Sequence, residues 1–317
     1  MEQENKKPLI ILTGPTAVGK TDTSIALAKS VGGEIISADS IQVYRHMDIG
    51  SAKITKEEMQ GVPHFLIDAL EPDEEFNVVV FQMLALQAME EIYKRGHIPI
   101  ITGGTGFYIQ ALLYGVDFDE VETDNSYRKE LEEYAGEHGA EALHERLAAV
   151  DKEAAEAIHP NNVKRVIRAL EYHKQTGEKI SEHNEEQRQK KSPYNFAYFV
   201  LNRDRAVLYD RINRRVDMMF EQGLVAEVWK LLDMGYERKL VSMQGLGYKE
   251  VAAYLDGELT LEEAKEIIKR DTRHFAKRQI TWFKRETNVD WIDMEQYADA
   301  QGVVEALTVI LKEKGIL

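Results

Sequence analysis

Short apolar runs alternate with longer amphipathic stretches over the first third of the chain. Leu9-Ile10-Ile11-Leu12, closing at Thr13, reads as a buried strand; a glycine-bearing turn and an apolar-periodic helix from about Lys20 to Ser30 follow it. Glu34 to Ala38 and Phe65 to Ile67 predict two further short strands, Val78 to Lys94 a helix, and Ile98 to Thr102 a fourth strand. Strands that alternate with helices predict a parallel sheet covered on both faces, an α/β fold. After Gly115 the pattern changes. Tyr127 to Lys174 has helical periodicity, no convincing strand and many Glu, Ala and Lys, which predicts a helical insertion domain over residues 117–191 within a core formed by residues 1–116 and 192–317. Phe196 to Leu201 predicts a strand returning to the sheet, Val207 to Met234 and Leu261 to Arg285 predict helices, and Val289 to Ile292 a last short strand. Glu182 to Lys191 is the most linker-like stretch, and no internal repeat is present. Met218, Met219, Phe220 and Trp229 sit at helical spacing and are expected in the core, with Trp282 and Phe283.

Composition narrows the picture. A chain of 317 residues, 44% hydrophobic, buries one large core, and its length allows one domain or two. The absence of cysteine excludes disulfides and thiolate metal sites, so a cytoplasmic location is the default. Leu9 to Leu12 is too short for a signal segment or a membrane span, so a soluble protein is expected. The net charge of -15 argues against a protein that coats nucleic acid indiscriminately, yet Lys265, Lys269, Arg270, Arg273, Lys277, Arg278, Lys284 and Arg285 crowd one segment. Charge alone favours a solvated helix face there. Among the nine histidines no H-E-x-x-H or H-x-x-E-H helix occurs, which disfavours a catalytic zinc.

Gly14-Pro15-Thr16-Ala17-Val18-Gly19-Lys20-Thr21 fits the G-x-x-x-x-G-K-[ST] phosphate loop, placed after a strand and opening a helix. Its amides and the helix N-terminus converge on phosphate oxygens, Lys20 adds a cation, and the Thr21 hydroxyl is a ligand for Mg²⁺. The sheet is therefore expected to be P-loop NTPase-like. Such a loop does not name a reaction. Neither Asp39 nor Asp68 follows the long apolar run of a Walker B strand, so a small-molecule kinase or related transferase is the nearer comparison. Asp39 stands at the C-terminal end of the second strand, which opens onto the same crevice; it reads as a general base, as a ligand to metal through water, or as a plain helix N-cap.

Gly14 to Thr21, Asp39-Ser40-Ile41-Gln42-Val43-Tyr44-Arg45, Gly50-Ser51-Ala52-Lys53, Gly103-Gly104-Thr105-Gly106-Phe107-Tyr108 and Gly245-Leu246-Gly247-Tyr248-Lys249-Glu250 together resemble the bacterial tRNA dimethylallyltransferase family. The resemblance continues through His159-Pro160-Asn161-Asn162, Arg165, Arg168 to Glu171, Thr272-Arg273 and Lys277 to Phe283, nearly the whole chain. Ile54, where the family often has proline, and Pro63-His64-Phe65-Leu66-Ile67-Asp68, in place of His-His-Leu-Ile-Asp, depart from the pattern.

The resemblance implies transfer of a dimethylallyl group from dimethylallyl diphosphate to N6 of the adenine beside the anticodon, in tRNAs that read codons starting with U. Diphosphate leaves, with Mg²⁺ as helper. On that reading the phosphate loop holds a leaving group, with Arg211 or Arg215 as a guanidinium clamp; the sequence does not choose between them, and both also read as an exposed basic face. Asp39 becomes the base, Lys20 the charge stabiliser, and Thr105 a hydroxyl aimed at the amine or the diphosphate, although its turn also reads as a packing device. The resemblance assigns the tRNA anticodon stem-loop to Asp39, Ser40, Ile41, Gln42 and Thr105, to Arg128, Lys164, Arg165, Val166, Ile167 and Arg168 on the insertion, to Gln244 through Lys249 (Gln244, Gly245, Leu246, Gly247, Tyr248, Lys249), and to Lys277, Arg278 and Gln279. No membrane is involved, and the working unit is expected to be a monomer. The rivals are a small-molecule phosphotransferase, a prenyltransferase acting on free adenine nucleotides, and a nucleotide-gated RNA-binding switch. A helical insertion with Arg165 and Arg168 has no clear job with a small acceptor.

Overall fold

The structure, a computed structural model, describes residues 6–116 and 125–317. Two compact units are formed, one from residues 1–113 and 193–317 and the other from 114–192. In the first, six parallel strands make one sheet: β1 (Lys7–Thr13), β2 (Gly33–Ala38), β3 (His64–Phe65), β4 (Ile98–Gly103), β5 (Tyr194–Asn202) and β6 (Asp290–Asp293), in spatial order β3-β2-β4-β1-β5-β6. Leu9 to Leu12 are fully buried because helices cover both faces of a parallel sheet. Ile10, Leu12, Ile25, Leu27, Ile35, Ile100, Phe199, Leu201, Leu208, Ile212, Val303, Leu307 and Leu311 form one core.

Helices α1 (Lys20–Val31), α2 (Val78–Lys94) and α3 (Gly106–Tyr114) follow β1, β3 and β4. Asn77 caps α2 by accepting from the amides of Val79 and Val80. The third strand is shorter than expected because Leu66 turns at φ 60 and ends the pairing after Phe65. The single helix expected over Val207 to Met234 is two, α9 (Arg205–Glu221) and α10 (Leu224–Asp233), broken where Gly223 takes φ 103. Helices α11 (Tyr248–Leu255), α12 (Leu261–Phe283) and α13 (Ala300–Glu313) complete this unit; Thr260 and Glu263 form the capping box of α12.

The second unit packs α4 (Asn125–His138), α5 (Ala140–Val150), α6 (Lys152–Ala157), α7 (Val163–Thr176) and α8 (Ile180–Gln189). Leu131, Leu143, Leu147, Val166, Ile167 and Leu170 make its core. The linker expected at 182–191 is largely helix α8. Ile180 docks on that core and Ser181 bonds the buried Asp151, anchoring an otherwise polar segment. Among the described residues no helix is long and apolar enough to cross a membrane.

The expected core role of Met218 and Trp229 is corrected. Leu208, Ile212 and Val216 mark the buried face of α9, and Leu224, Val228 and Leu231 that of α10. Met218 and Trp229 lie off these stripes and are 49% and 57% exposed. One residue of phase is about 100° around a helix, enough to turn a side chain to solvent. Phe283 is buried as expected, and Trp282 is half-buried.

Candidate active site

All parallel strands end on one edge of the sheet, so residues far apart in sequence meet there. The loop after β1 carries Gly14 to Lys20, the end of β2 delivers Asp39, β4 runs into Gly103 to Thr105, and β5 into Arg203. Thr13 Oγ1 donates to the Gly103 carbonyl at 2.6 Å and Thr102 Oγ1 to the Leu12 carbonyl at 3.0 Å, tying the two central strands at this edge.

The phosphate loop wraps its own lysine. Lys20 Nζ donates to the Gly14 and Pro15 carbonyls, both at 3.0 Å. Burial and the neighbouring Arg215 guanidinium pull its pKa down to about 7 against the opposing pull of Asp39. Arg215 is itself lowered by burial and by Arg211 and raised by Asp39. Lys20, Asp39 and Arg215 are therefore close enough to feel one another. Arg211, one helical turn earlier, instead donates Nε to the Ala17 carbonyl at 2.8 Å, where Ala17 has φ 64. Arg203, which the sequence reading did not single out, donates Nε to the next carbonyl, that of Val18, at 2.9 Å and pairs with Glu295. Met294 packs against Gly19. The back of the loop is thus held by two arginines and a methionine. No motif marks Arg203; only its place just past β5 does.

No helix follows Asp39, so it is not the helix N-cap that the sequence also allowed; it holds a turn instead. Its Oδ1 accepts from the amides of Ile41 at 2.9 Å and Gln42 at 3.2 Å, and Oδ2 takes no hydrogen bond among the described residues. Thr105 donates its amide to the Ala38 carbonyl, one residue before Asp39, at 3.3 Å. Beside them lies an aromatic cluster in which Tyr108 stacks on Phe81 at 4.9 Å and Phe76 meets Tyr108 and Tyr44 edge to face. Burial, with Tyr44 and Asp39 nearby, pushes the Tyr108 phenol up to about 12. The Thr21 hydroxyl, exposed at the start of α1, takes no hydrogen bond among the described residues.

Several side chains assigned to RNA are engaged within the protein, and core burial corrects the assignment of Val166 and Ile167. Val166 and Ile167, 0% and 3% exposed, belong to the core of the helical unit. Arg128 makes a two-pronged pair with the buried Glu171 at 3.0 and 2.9 Å. Tyr248 is fully buried and donates its hydroxyl to Glu227. Gly247 is buried too, its amide bound by Glu250. Gln42 spends its amide on the Ser51 and Ala52 carbonyls. Gln279 is buried between two loops: Oε1 accepts from the Thr16 amide at 2.9 Å and Nε2 donates to the Gly104 carbonyl at 3.0 Å. Lys164, Arg165 and Arg168 are exposed on one flank of α7, and Gln244, Lys249, Lys277 and Arg278 are exposed on the sheet unit. Ser40, Ile41, Gly245 and Leu246 are half-buried.

Two internal anchors escaped the sequence reading. Glu227 accepts from the successive amides of Asp48, Ile49 and Gly50 at 2.7 to 3.0 Å, and Gly50 lies flat on the Tyr248 ring, where a Cβ would come within 2.6 Å. Lys53, with its side chain 4% exposed, is held by Asp48, Asp68 and the Tyr44 carbonyl at 2.6 Å each. The Gly50 to Lys53 motif is in this way bound down on both sides.

Residues 42–286 match the model of the IPP transferase family, and residues 7–74 that of isopentenyl transferases. A tRNA dimethylallyltransferase of Lachnoclostridium phytofermentans is 62% identical over 98% of this chain and 99% of its own length; one of Clostridioides difficile is 51% identical over 97% and 98%. Among solved structures, the full-length tRNA isopentenylpyrophosphate transferase of Bacillus halodurans is 49% identical, covers 98% of both chains and superposes with a TM-score of 0.74. A eukaryotic dimethylallyltransferase described as acting on tRNA is 30% identical, covering 96% of this chain and 78% of that one, with a TM-score of 0.82. With a phosphate loop, a carboxylate and an arginine pair at one sheet edge, and relatives matched from end to end, this chain belongs to the IPP transferase family, among the tRNA dimethylallyltransferases.

Proposed function

We propose that the protein transfers a dimethylallyl group from dimethylallyl diphosphate to N6 of the adenine beside the anticodon of tRNA, releasing diphosphate. The observation that carries this reading is the meeting of Lys20, Asp39 and Arg215: two cations suited to a departing diphosphate beside a carboxylate that has one oxygen to spare. The N6 lone pair attacks C1, the bond from C1 to oxygen breaks, and its electrons leave on the diphosphate. The amine proton passes to Asp39 Oδ2. Lys20, Arg215 and the loop amides stabilise the charge that develops on the leaving group. Arg215 is our choice for the diphosphate contact, because Arg211 spends its Nε on holding Ala17. Thr105, whose backbone amide is tied to Ala38 beside Asp39, is the hydroxyl we assign to the amine or to the diphosphate.

A divalent cation, Mg²⁺, fits the oxygen donors at hand: the unengaged Thr21 hydroxyl beside Lys20 and the oxygens that substrate brings. When bound it supplies further positive charge to the leaving group. The exposed Lys164, Arg165 and Arg168 of the helical unit, and Lys249, Lys277, Arg278 and Gln244 of the sheet unit, are the groups suited to the anticodon stem-loop. An adenine turned out of its stack costs roughly a few kcal/mol, which such contacts offset. The cysteine-free chain works in the cytoplasm as a monomer on this reading.

The test incubates protein with Mg²⁺, radiolabelled dimethylallyl diphosphate and unmodified tRNA, beside free AMP and the Asp39→Asn variant. Label entering tRNA but not AMP, and lost in the variant, supports the reading. Label entering AMP points to a free-nucleotide prenyltransferase, and ATP consumption without transfer to a kinase.

A further inference from the structure

We propose that Gln279 is a positioning residue that sets the distance between the phosphate loop and the Thr105 turn, and that it does not contact RNA. The basic run of α12 invites an RNA role for every residue in it, yet its members differ in where they point. Lys277 and Arg278 are exposed, as are Lys284 and Arg285 just past the helix, whereas Gln279 is 6% exposed and faces the sheet edge.

Both ends of its amide are used across long sequence separations. Oε1 accepts from the amide of Thr16, 263 residues away, and Nε2 donates to the carbonyl of Gly104, 175 residues away. One partner is only a donor and the other only an acceptor, so a single orientation of the amide satisfies both. The turn is built to receive it. A Cβ on Gly104 would come within 2.0 Å of Nε2, and one on Gly106 within 2.2 Å of the Trp282 ring, three residues further along the same helix face. The Gly103 to Gly106 turn is therefore laid flat on α12, with Gln279 as its bridge to the loop that binds diphosphate.

The bridge reaches the acceptor side as well, because Thr105 is the next residue and its amide holds Ala38, next to Asp39. A shift of about 1 Å between reacting groups costs on the order of 100-fold in rate, so a bridge that fixes this spacing belongs to catalysis although it touches no substrate.

The experiment measures single-turnover transfer at saturating tRNA and dimethylallyl diphosphate, and tRNA affinity separately by equilibrium binding, for wild type, Gln279→Leu and Gln279→Glu. Leucine keeps the volume and removes both bonds; its transfer rate should fall roughly 10- to 100-fold while the tRNA Kd stays within about twofold. Glutamate keeps the acceptor for Thr16 but donates to Gly104 only when protonated, so its rate relative to wild type should climb as pH falls from about 8 to about 5.5. A weakened tRNA Kd with an unchanged rate in Gln279→Leu would make Gln279 an RNA contact and overturn the proposal, as would a variant with wild-type rate and affinity. Should the leucine variant not fold, a pH-independent ratio for Gln279→Glu overturns it alone. The inference rests on the transfer reaction proposed above; failure of that reading shows as no transfer by the wild type, a different result from either of these.

Discussion

Lowering the charge on Lys20 should be enough to unload the phosphate loop, and pH does this without a mutation. Burial and Arg215 depress its pKa to about 7 in the free protein, with Asp39 pulling the other way. From that value the cationic fraction is about one half at pH 7, about one tenth at pH 8 and about one hundredth at pH 9. A neutral amine offers the diphosphate little, so kcat/KM for dimethylallyl diphosphate should fall about tenfold per pH unit above neutrality. Bound diphosphate restores the cation, so kcat at saturation should stay flatter across the same range. Substrate ionisation adds its own pH dependence, which Arg215→Gln separates. Removing that guanidinium takes away one of the two influences that lower Lys20, so the alkaline limb moves to higher pH even if the overall rate drops. Substrate titration is common to both proteins and cancels in the comparison. The assay is initial rate at subsaturating dimethylallyl diphosphate and saturating tRNA, from pH 6 to about 9.5 at constant ionic strength. Superimposable limbs for the two proteins, or a flat kcat/KM, would refute the reasoning. Stability carries the opposite sign: a lysine depressed in the fold is destabilising while charged, so stability grows as pH rises from about 7 toward its ordinary value of 10.5, and the full penalty applies below about 7.

Other perturbations probe separate parts of the site. Asp39→Asn keeps an oxygen for the Ile41 and Gln42 amides but cannot take the proton; transfer should fall roughly 10²- to 10⁴-fold with diphosphate binding retained, checked by single turnover beside calorimetry. Arg203→Met frees the Val18 carbonyl and Glu295, so KM for dimethylallyl diphosphate should rise while tRNA affinity holds; a change confined to tRNA binding would count against the loop-holding role. Joint replacement of Lys164, Arg165 and Arg168 by alanine should weaken tRNA binding and flatten the slope of log Kd against log salt by roughly 0.7 for each lost phosphate contact, with helical circular dichroism unchanged. Leu143→Ala opens a void in the core of the helical unit and should cost about 2–5 kcal/mol, read as a lower melting transition for that unit.

Local pattern carried the strands, the phosphate loop and the helical character of residues 127–174, because burial on both faces, glycine spacing and helical period are all written in neighbouring residues. Asp39 was legible for the same reason: it ends a strand whose place beside the loop follows from the fold class. The sequence did not reveal which polar side chains were already spoken for. Gln279, Tyr248, Arg128, Glu227 and Lys53 look like surface groups in a linear reading, and each is consumed by partners 5 to 263 residues away. Arg203 was missed because no local pattern distinguishes an arginine that holds a loop carbonyl from one that faces water. Helix phase was also beyond reach at Met218 and Trp229, where the elements packed alongside choose the buried face. The chain alone determined the fold class, the phosphate loop and the place of Asp39 beside it, since these depend on residues close in sequence or on a regular strand order. Only the tertiary structure decided which of the remaining polar groups bind one another, because a hydrogen bond depends on distance in space.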